Sequence, residues 1–355
     1  MAKLYEIDSW SEQLWWNTGG TRDKKIYQNP EDGTIYYFKQ SYRKGKMDYQ
    51  HEFWSEIIAY EVGEFLGFDV LPYHIALRNE VVGCISKSMI DPESEELVEG
   101  GKYLQAFDHT FKPEDSNTRS RYNFDLIIKA LSSFDLPQYT QNIINIIVFD
   151  ALIGNSDRHQ ENWAVINEHS MMTKTLSEVR KDYEKDQFKA YPYIYKKIYN
   201  FFYTKKGKIR KEVEHAQLML PKETRFAQIY DSGCCFGREL LDEKVSILLR
   251  DDKALNKYID KGKSEIHWEG KKVNHFELVT SILEDEELKP MVLKSLEEMV
   301  KRFDKKKIEQ IVNNIDQELV KMGNPKILPT DRKEMIIKLL ILRFRKLEAI
   351  YQSNK

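Results

Sequence analysis

The sequence has few cysteines, and their spacing excludes a disulfide-dependent fold. It contains three, Cys84, Cys234 and Cys235, of which two are adjacent. Adjacent cysteines do not readily bridge each other, and no Cys-x-x-Cys or Cys/His spacing typical of a zinc site occurs. The cysteine content therefore indicates a protein of a reducing compartment.

The sequence also lacks an excess of charge of either sign, a signal peptide and a membrane-spanning run. Lys and Arg total 55 against 57 Asp and Glu, so the overall charge does not indicate nucleic acid or an anionic membrane as a partner. The N-terminal MAKLYEIDSW has no basic-then-apolar layout, and the apolar run NIINIIVFDALIG is too short to cross a bilayer. We therefore expect a cytoplasmic protein that neither binds nucleic acid directly nor spans a membrane.

The hydrophobic pattern changes along the 355 residues. β-Branched and aromatic residues predict strands at 34–40 and 80–90, and the segment between them has helical spacing that ends at Gly67. From about residue 120 the spacing is helical, apart from a short strand predicted at Ala227–Tyr230. The sequence predicts an α+β fold, with a small β-rich N-lobe (1–90) and a larger, mostly helical C-lobe (91–355).

One stretch within the predicted C-lobe is unusually basic. Residues 174–212 contain twelve Lys or Arg, five Asp or Glu and six tyrosines. A solvated helical hairpin with its aromatic residues packed on one face explains this composition, and an electropositive docking surface for an acidic partner is the functional alternative. We treat residues of about 168–222 as an insertion.

Three polar residues of the C-lobe have the spacing that phosphoryl transfer requires. Asp157 and Asn162 lie five positions apart in a predicted loop, and Asp231 follows the predicted short strand and precedes Gly233. An Asp in such a loop orients the attacking hydroxyl, while an Asn and a downstream Asp hold Mg²⁺ on the nucleotide phosphates. Taken alone, each aspartate has a structural alternative: Asp157 caps a helix, and Asp231 starts a turn.

The N-lobe supplies the cation that this chemistry needs. Lys39 lies near the end of the strand TIYYFKQ, and Glu56 or Glu52 of the following helix is the candidate carboxylate to position it, with Glu56 preferred. Upstream, the glycine-rich segment Gly19-Gly20-Thr21 predicts a loop whose backbone amides approach phosphate oxygens.

Two further polar residues belong to the Asp157 segment. His159 supports the loop, contacts the phosphates or acts as a general base, and support is the commonest of these roles for a loop histidine. Arg158 reads as a solvated side chain.

The segments GNSDRHQENWAVI and QIYDSGCCFGREL resemble the two signature segments of HipA-like serine/threonine kinases, particularly the shorter CtkA-type branch. The resemblance implies a bilobed protein-kinase-like fold that uses ATP and Mg²⁺, with Asp157 as the catalytic aspartate. It also implies Asn162 and Asp231 as Mg²⁺ ligands and Lys39 as the phosphate-binding lysine.

The resemblance implies a nucleotide contact and a partner as well. The segment SKSMI would link the lobes, so that backbone groups of Lys87, Ser88 and Met89 bind adenine. Lys39 comes too early in the sequence for the additional N-terminal subdomain of the longer HipA toxins, so an antitoxin partner is not expected.

We therefore expect an ATP-dependent protein serine/threonine kinase that phosphorylates protein substrates and itself, with Thr18 and Thr21 as candidate acceptor hydroxyls. Two alternatives remain. The segment around Asp157 also resembles phosphoinositide kinases, which leaves a lipid or small-molecule kinase open. A pseudokinase that serves as a binding scaffold is the other alternative, although all four of Lys39, Asp157, Asn162 and Asp231 are present.

Overall fold

The structure, a computed structural model, describes residues 2–14, 24–41, 43–44, 47–112, 115–175, 204–205, 208–209 and 215–355. The chain divides into two compact units. Unit 1 comprises Met1–Met89, Val98–Val165 and Phe226–Lys355, and unit 2 comprises Ile90–Leu97 and Ile166–Arg225. The predicted lobe boundary at residue 90 and the predicted insertion at 168–222 stay predictions, and most of the basic stretch lies outside the described residues.

The first strands of unit 1 are β1 (Leu4–Glu6), β2 (Ser11–Glu12), β3 (Lys24–Gln28), β4 (Ile35–Lys39), β5 (Arg43–Lys44), β6 (Met47–Asp48), β7 (Tyr73–Arg78) and β8 (Val81–Lys87). Six of them form one sheet in the order β1-β7-β8-β4-β3-β2. The predicted strands at 34–40 and 80–90 form neighbouring antiparallel strands of this sheet. A separate two-stranded ribbon, β5 with β6, follows β4 in the chain.

Side chains alternate between the two faces of this sheet, as strand geometry requires. Phe38 belongs to a small apolar cluster with Ile7, Tyr27 and Ile85. Its neighbour Lys39 therefore points to the opposite face, where the helix α1 (Glu52–Leu66) contributes to the main core. The position of the lysine at a strand end thus places its ammonium beside a helix.

The remainder of unit 1 is mostly helical, which confirms the predicted α+β class. Most of the apolar run NIINIIVFDALIG lies in the helix Thr140–Ile153, which is buried around its circumference, and the C-terminal amphipathic segments form long helices. The helices are α2 (Gly100–Phe107), α3 (Phe124–Ser133), α4 (Thr140–Ile153), α5 (Asp242–Arg250), α6 (Asp252–Lys261), α7 (His275–Leu283), α8 (Lys289–Arg302), α9 (Lys305–Asn313), α10 (Gln317–Lys321) and α11 (Thr330–Asn354).

The prediction of a short strand at Ala227–Tyr230 is wrong. The segment makes a single parallel bridge between Ile229 and Val70, and the regular strand ends just before it, at Phe226. The pairing does not extend beyond Ile229, because the carbonyl of Tyr230 accepts a hydrogen bond from the Arg158 side chain rather than from a neighbouring strand.

Unit 2 contains most of a three-stranded sheet and a small ribbon. Strands β9 (Glu95–Glu99), β10 (Ala164–Thr175) and β13 (His215–Phe226) have the order β13-β10-β9, and β11 (Thr204–Lys205) pairs with β12 (Lys208–Ile209). An ion pair joins Arg225 to Glu95 at 3.0 Å. None of the helices in the described part of the chain is long and apolar enough to cross a bilayer.

A glycine ends α4 directly before the loop that carries Asp157. Gly154 has φ +73°, and a Cβ there would lie 2.8 Å from Cζ of the buried Arg343. We expect Gly154→Ala to lower the free energy of unfolding by more than the roughly 1–2 kcal/mol of left-handed strain alone, because the methyl group also displaces the guanidinium. Urea denaturation measures the change.

Gly323→Ala is the matched control for this substitution. Gly323 has φ +65°, yet a Cβ there would meet nothing within 4 Å. Its substitution therefore reports the backbone strain without the steric conflict. Equal losses in the two variants would contradict the packing of Arg343 against the α4 terminus.

Candidate functional site

Lys39 lies between two carboxylates of unit 1. Its Nζ is 2.9 Å from Oε1 of Glu56 on α1 and 3.2 Å from Oδ1 of Asp231. Burial alone would lower the pKa of Lys39, but the attraction of the two carboxylates outweighs burial and holds this pKa well above its usual value. The lysine is therefore a fixed positive charge in a buried position.

Glu56 also joins α1 to the segment after Asp231. Its second oxygen, Oε2, accepts the backbone N–H of Ser232 at 2.8 Å. The loop packs closely here, since a Cβ on Gly233 would lie 3.2 Å from Oε1 of Glu56. The other candidate carboxylate, Glu52, instead forms an ion pair with Arg238 at 3.6 Å.

A second lysine, which the sequence did not single out, reaches the same carboxylate. Nζ of Lys24 is 3.4 Å from Oδ2 of Asp231. Lys24 and Lys39 are Cα partners on the antiparallel strands β3 and β4, so their side chains share one face of the sheet. Asp231 itself has φ +55°, a left-handed conformation that Asp tolerates better than most residues.

Asp157 and Asn162 belong to one loop held by its own side chains. Nδ2 of Asn162 donates to the carbonyl of Asp157 at 2.7 Å, and Oδ1 of Asn155 accepts the backbone N–H of Asp157 at 3.3 Å. The first bond fixes the amide orientation of Asn162, so that Oδ1 turns away from that carbonyl. Asn162 is buried and Asp157 half-buried.

The loop contacts the segment after Asp231 directly. Sγ of Cys234 lies 3.1 Å from Oδ2 of Asp157, and the backbone N–H of Ser156 donates to the Cys234 carbonyl at 3.3 Å. Nη2 of Arg238 is 2.9 Å from the same sulfur. All three cysteines of the chain are buried free thiols.

His159 makes local contacts. Its Nδ1 accepts the backbone N–H of Glu161 at 3.3 Å, and its carbonyl accepts the backbone N–H of Asn162 at 2.9 Å. The side chain is about one-third exposed. Both bonds lie within the loop that carries Asp157.

The expectation that Arg158 is solvated is wrong. The side chain is 1% exposed and forms a two-pronged ion pair with Asp150 of α4, with both N–O distances at 2.9 Å. A charged residue is almost never fully buried without a partner. Asp150 was the available signal, because an aspartate in a mostly apolar, buried helix is expected to have a charged partner.

The remaining predicted residues belong to the glycine-rich segment and to the segment 87–89. Gly19, Gly20 and Thr21 lie outside the described residues, as does Thr18. Lys87 ends β8 opposite Tyr36 of β4 and is exposed. The N–H of Ser88 donates to the Ile35 carbonyl at 2.8 Å, so this amide is engaged within the sheet. Met89 packs partly buried against the main core, and adenine binding by this segment stays a prediction.

Among the described residues, no group of three or more His, Cys, Asp or Glu side chains is arranged to hold a metal ion. The predicted Mg²⁺ ligands are one amide, Asn162, and one carboxylate, Asp231, so they do not form a group of that kind.

Comparison with solved structures shows the fold. The chain is similar over 99% of its length to 98% of the proinflammatory kinase CtkA of Helicobacter pylori, with a TM-score of 0.70 and 18% identity. It is also matched, with a TM-score of 0.40 and 11% identity, to HipA of Shewanella oneidensis MR-1 in a complex with HipB and operator DNA, over 97% of this chain and 67% of that one. No family model and no curated protein matches the sequence. The predicted CtkA-type bilobed kinase fold is thereby confirmed.

Proposed function

We propose that this protein is an ATP-dependent protein serine/threonine kinase whose site is the cluster around Lys39 and Asp231. The observation that carries the proposal is the buried lysine held between a helix carboxylate and the Asp231 carboxylate, at 2.9 and 3.2 Å. A strand lysine paired with a helix glutamate is the arrangement that positions nucleotide phosphates in protein kinases. The shared fold with a protein described as a kinase supports the same reading.

Each residue then has one role. Lys39, oriented by Glu56, would neutralise charge on the phosphates of ATP, and Lys24 would add a second positive charge nearby. Asp157 would accept or orient the proton of the attacking hydroxyl. His159 would keep the Asp157 loop in shape. The Gly19–Thr21 segment and the 87–89 segment are proposed as contacts to the phosphates and to adenine.

The donor set around Asp231 fits Mg²⁺. Asp231 offers carboxylate oxygens and Asn162 an amide oxygen, the hard donors that Mg²⁺ prefers, and Mg²⁺ is commonly held by few protein oxygens together with substrate phosphates. When bound together with ATP, Mg²⁺ would supply positive charge against the negatively charged phosphate groups. Asn162 and Asp231 are the residues proposed to hold it.

A labelling experiment tests the proposal and the acceptor class together. The protein is incubated with Mg²⁺ and γ-labelled ATP in the presence of a generic protein substrate and of phosphoinositide vesicles. We expect label on Ser or Thr of the protein substrate or of the chain itself, and mass spectrometry is expected to find self-modification at Thr18 or Thr21.

The control for this experiment is Asp231→Ala, which removes a proposed metal ligand and is expected to abolish all labelling. Label recovered only in lipid would replace the proposal by the lipid-kinase alternative. Wild-type protein that binds ATP without transferring label to any acceptor would favour a scaffold. An unmodified segment around Thr18 and Thr21 would remove the self-phosphorylation site but not the kinase.

A further inference from the structure

Arg158 is bonded to both segments that carry the proposed Mg²⁺ ligands. Its Nη1 donates to the carbonyl of Asn162 at 2.9 Å and to the carbonyl of Tyr230 at 2.5 Å, and its Nη2 is 3.3 Å from Oγ of Ser232. The remaining donors of the guanidinium pair with Asp150. The arginine thus links three separate stretches of unit 1.

The two carbonyl bonds have a particular consequence for the proposed ligands. One carbonyl belongs to Asn162, the proposed amide ligand, and the other forms the peptide bond that leads into Asp231, the proposed carboxylate ligand. A single nitrogen of Arg158 therefore connects the backbones of both ligands. Because the guanidinium is planar and its donors diverge at fixed angles, it holds its acceptors at fixed relative positions.

We propose that Arg158 is a positioning residue that sets the spacing between Asn162 and Asp231 and so determines the affinity of the site for Mg²⁺ in the presence of ATP. This inference rests on the proposed function. Asp150 of the buried helix α4 holds the guanidinium in place, because its carboxylate accepts hydrogen bonds from Nε and Nη2 of Arg158. Arg158 touches neither nucleotide nor the reacting hydroxyl in this account.

A purely structural role predicts a different result. Arg332 of α11 is also buried and donates to backbone carbonyls, those of Gly237 and Leu240, but it binds neither proposed ligand residue. A buried arginine that only stabilises the fold would behave like Arg332 on substitution. Metal dependence of nucleotide binding separates the two roles, because Mg²⁺ requires near-ideal ligand geometry.

The experiment compares Arg158→Lys with Arg332→Lys. ATP affinity is measured by calorimetry once in EDTA and once in saturating Mg²⁺, and the ratio of the two affinities is the readout. Lysine keeps the positive charge beside Asp150 but cannot reproduce the planar fork. We expect Arg158→Lys to lower the Mg²⁺-dependent gain about 10–100-fold, the usual cost of losing a residue that orients metal ligands. ATP affinity in EDTA is expected to stay within about twofold of wild type, while Arg332→Lys retains the full gain.

A double variant keeps the test valid if Arg158→Lys does not fold. Asp150→Leu with Arg158→Met removes both buried charges together, a change that folded proteins often tolerate, and it is expected to show the same reduced gain. An unchanged Mg²⁺-dependent gain in either variant, or equal losses with and without metal, would overturn the inference. Wild-type protein that fails to bind ATP in both conditions would overturn the proposed function itself.

Discussion

The Asp157→Asn variant is expected to transfer phosphate about 10²–10⁴-fold more slowly than wild type, the range that a positioned proton acceptor contributes. Asparagine has the same shape and retains an oxygen able to face Cys234, whose sulfur lies 3.1 Å from the Asp157 carboxylate. It cannot accept the hydroxyl proton. ATP affinity is expected to remain at the wild-type value, because no proposed phosphate contact is removed.

Two measurements check this expectation, the single-turnover rate of label transfer and the dissociation constant for Mg²⁺-ATP. Asp125→Asn is the matched control, since Asp125 is an exposed residue on α3 that pairs with Lys129. Its rate is expected to equal that of wild type. A comparable loss of rate in the control would trace the effect to the protein preparation rather than to Asp157.

Glu56→Gln is expected to lose both stability and ATP affinity. The carboxylate accepts from Lys39 through one oxygen and from the N–H of Ser232 through the other, and it is 1% exposed. Glutamine must turn an amide N–H toward one of these donors, and Lys39 is left with Asp231 as its carboxylate partner. Removing one member of a buried pair costs on the order of 3–5 kcal/mol, which urea denaturation will measure.

Glu52→Gln separates the loss of ATP affinity from the loss of stability. Glu52 lies one turn earlier on α1 and is also buried, but it pairs with Arg238 rather than with Lys39. Both variants are expected to be destabilised, whereas only Glu56→Gln loses ATP affinity. Equal ATP affinities in the two variants would show that Glu56 does not position Lys39 for the nucleotide.

The elements that could be predicted from sequence are those with a local pattern. The strand ending at Lys39 has the β-branched and aromatic residues typical of strands, and helices α1 and α4 are apolar segments that each end at a glycine. The conformation of the segment 227–230 could not be predicted, because its apolar residues suit a strand. Whether it pairs as one depends on residues that are distant in the sequence. Its last carbonyl is bonded to Arg158, and the chain then turns through the left-handed conformation of Asp231.

In the site, too, residues recognisable from their own sequence segment could be predicted, and residues whose role depends on contacts with distant segments could not. Asp157, Asn162 and Asp231 could be selected because their residue types and spacing are those of a known chemistry. Arg158 and Lys24 could not, because their roles depend on which carboxylate each one meets in three dimensions. Spacing along the chain does not reveal that Lys24 lies opposite Lys39 in the sheet, or that Asp150 of a buried helix pairs with Arg158.

The central claim is that the cluster around Lys39, Asp157 and Asp231 transfers the γ-phosphoryl group of ATP. The most direct test is the single-turnover transfer of label from saturating Mg²⁺-ATP by wild type and by Asp157→Asn. The account predicts Ser/Thr labelling by wild type and its near-complete loss in the variant at equal ATP occupancy. Equal labelling rates in the two proteins would contradict it.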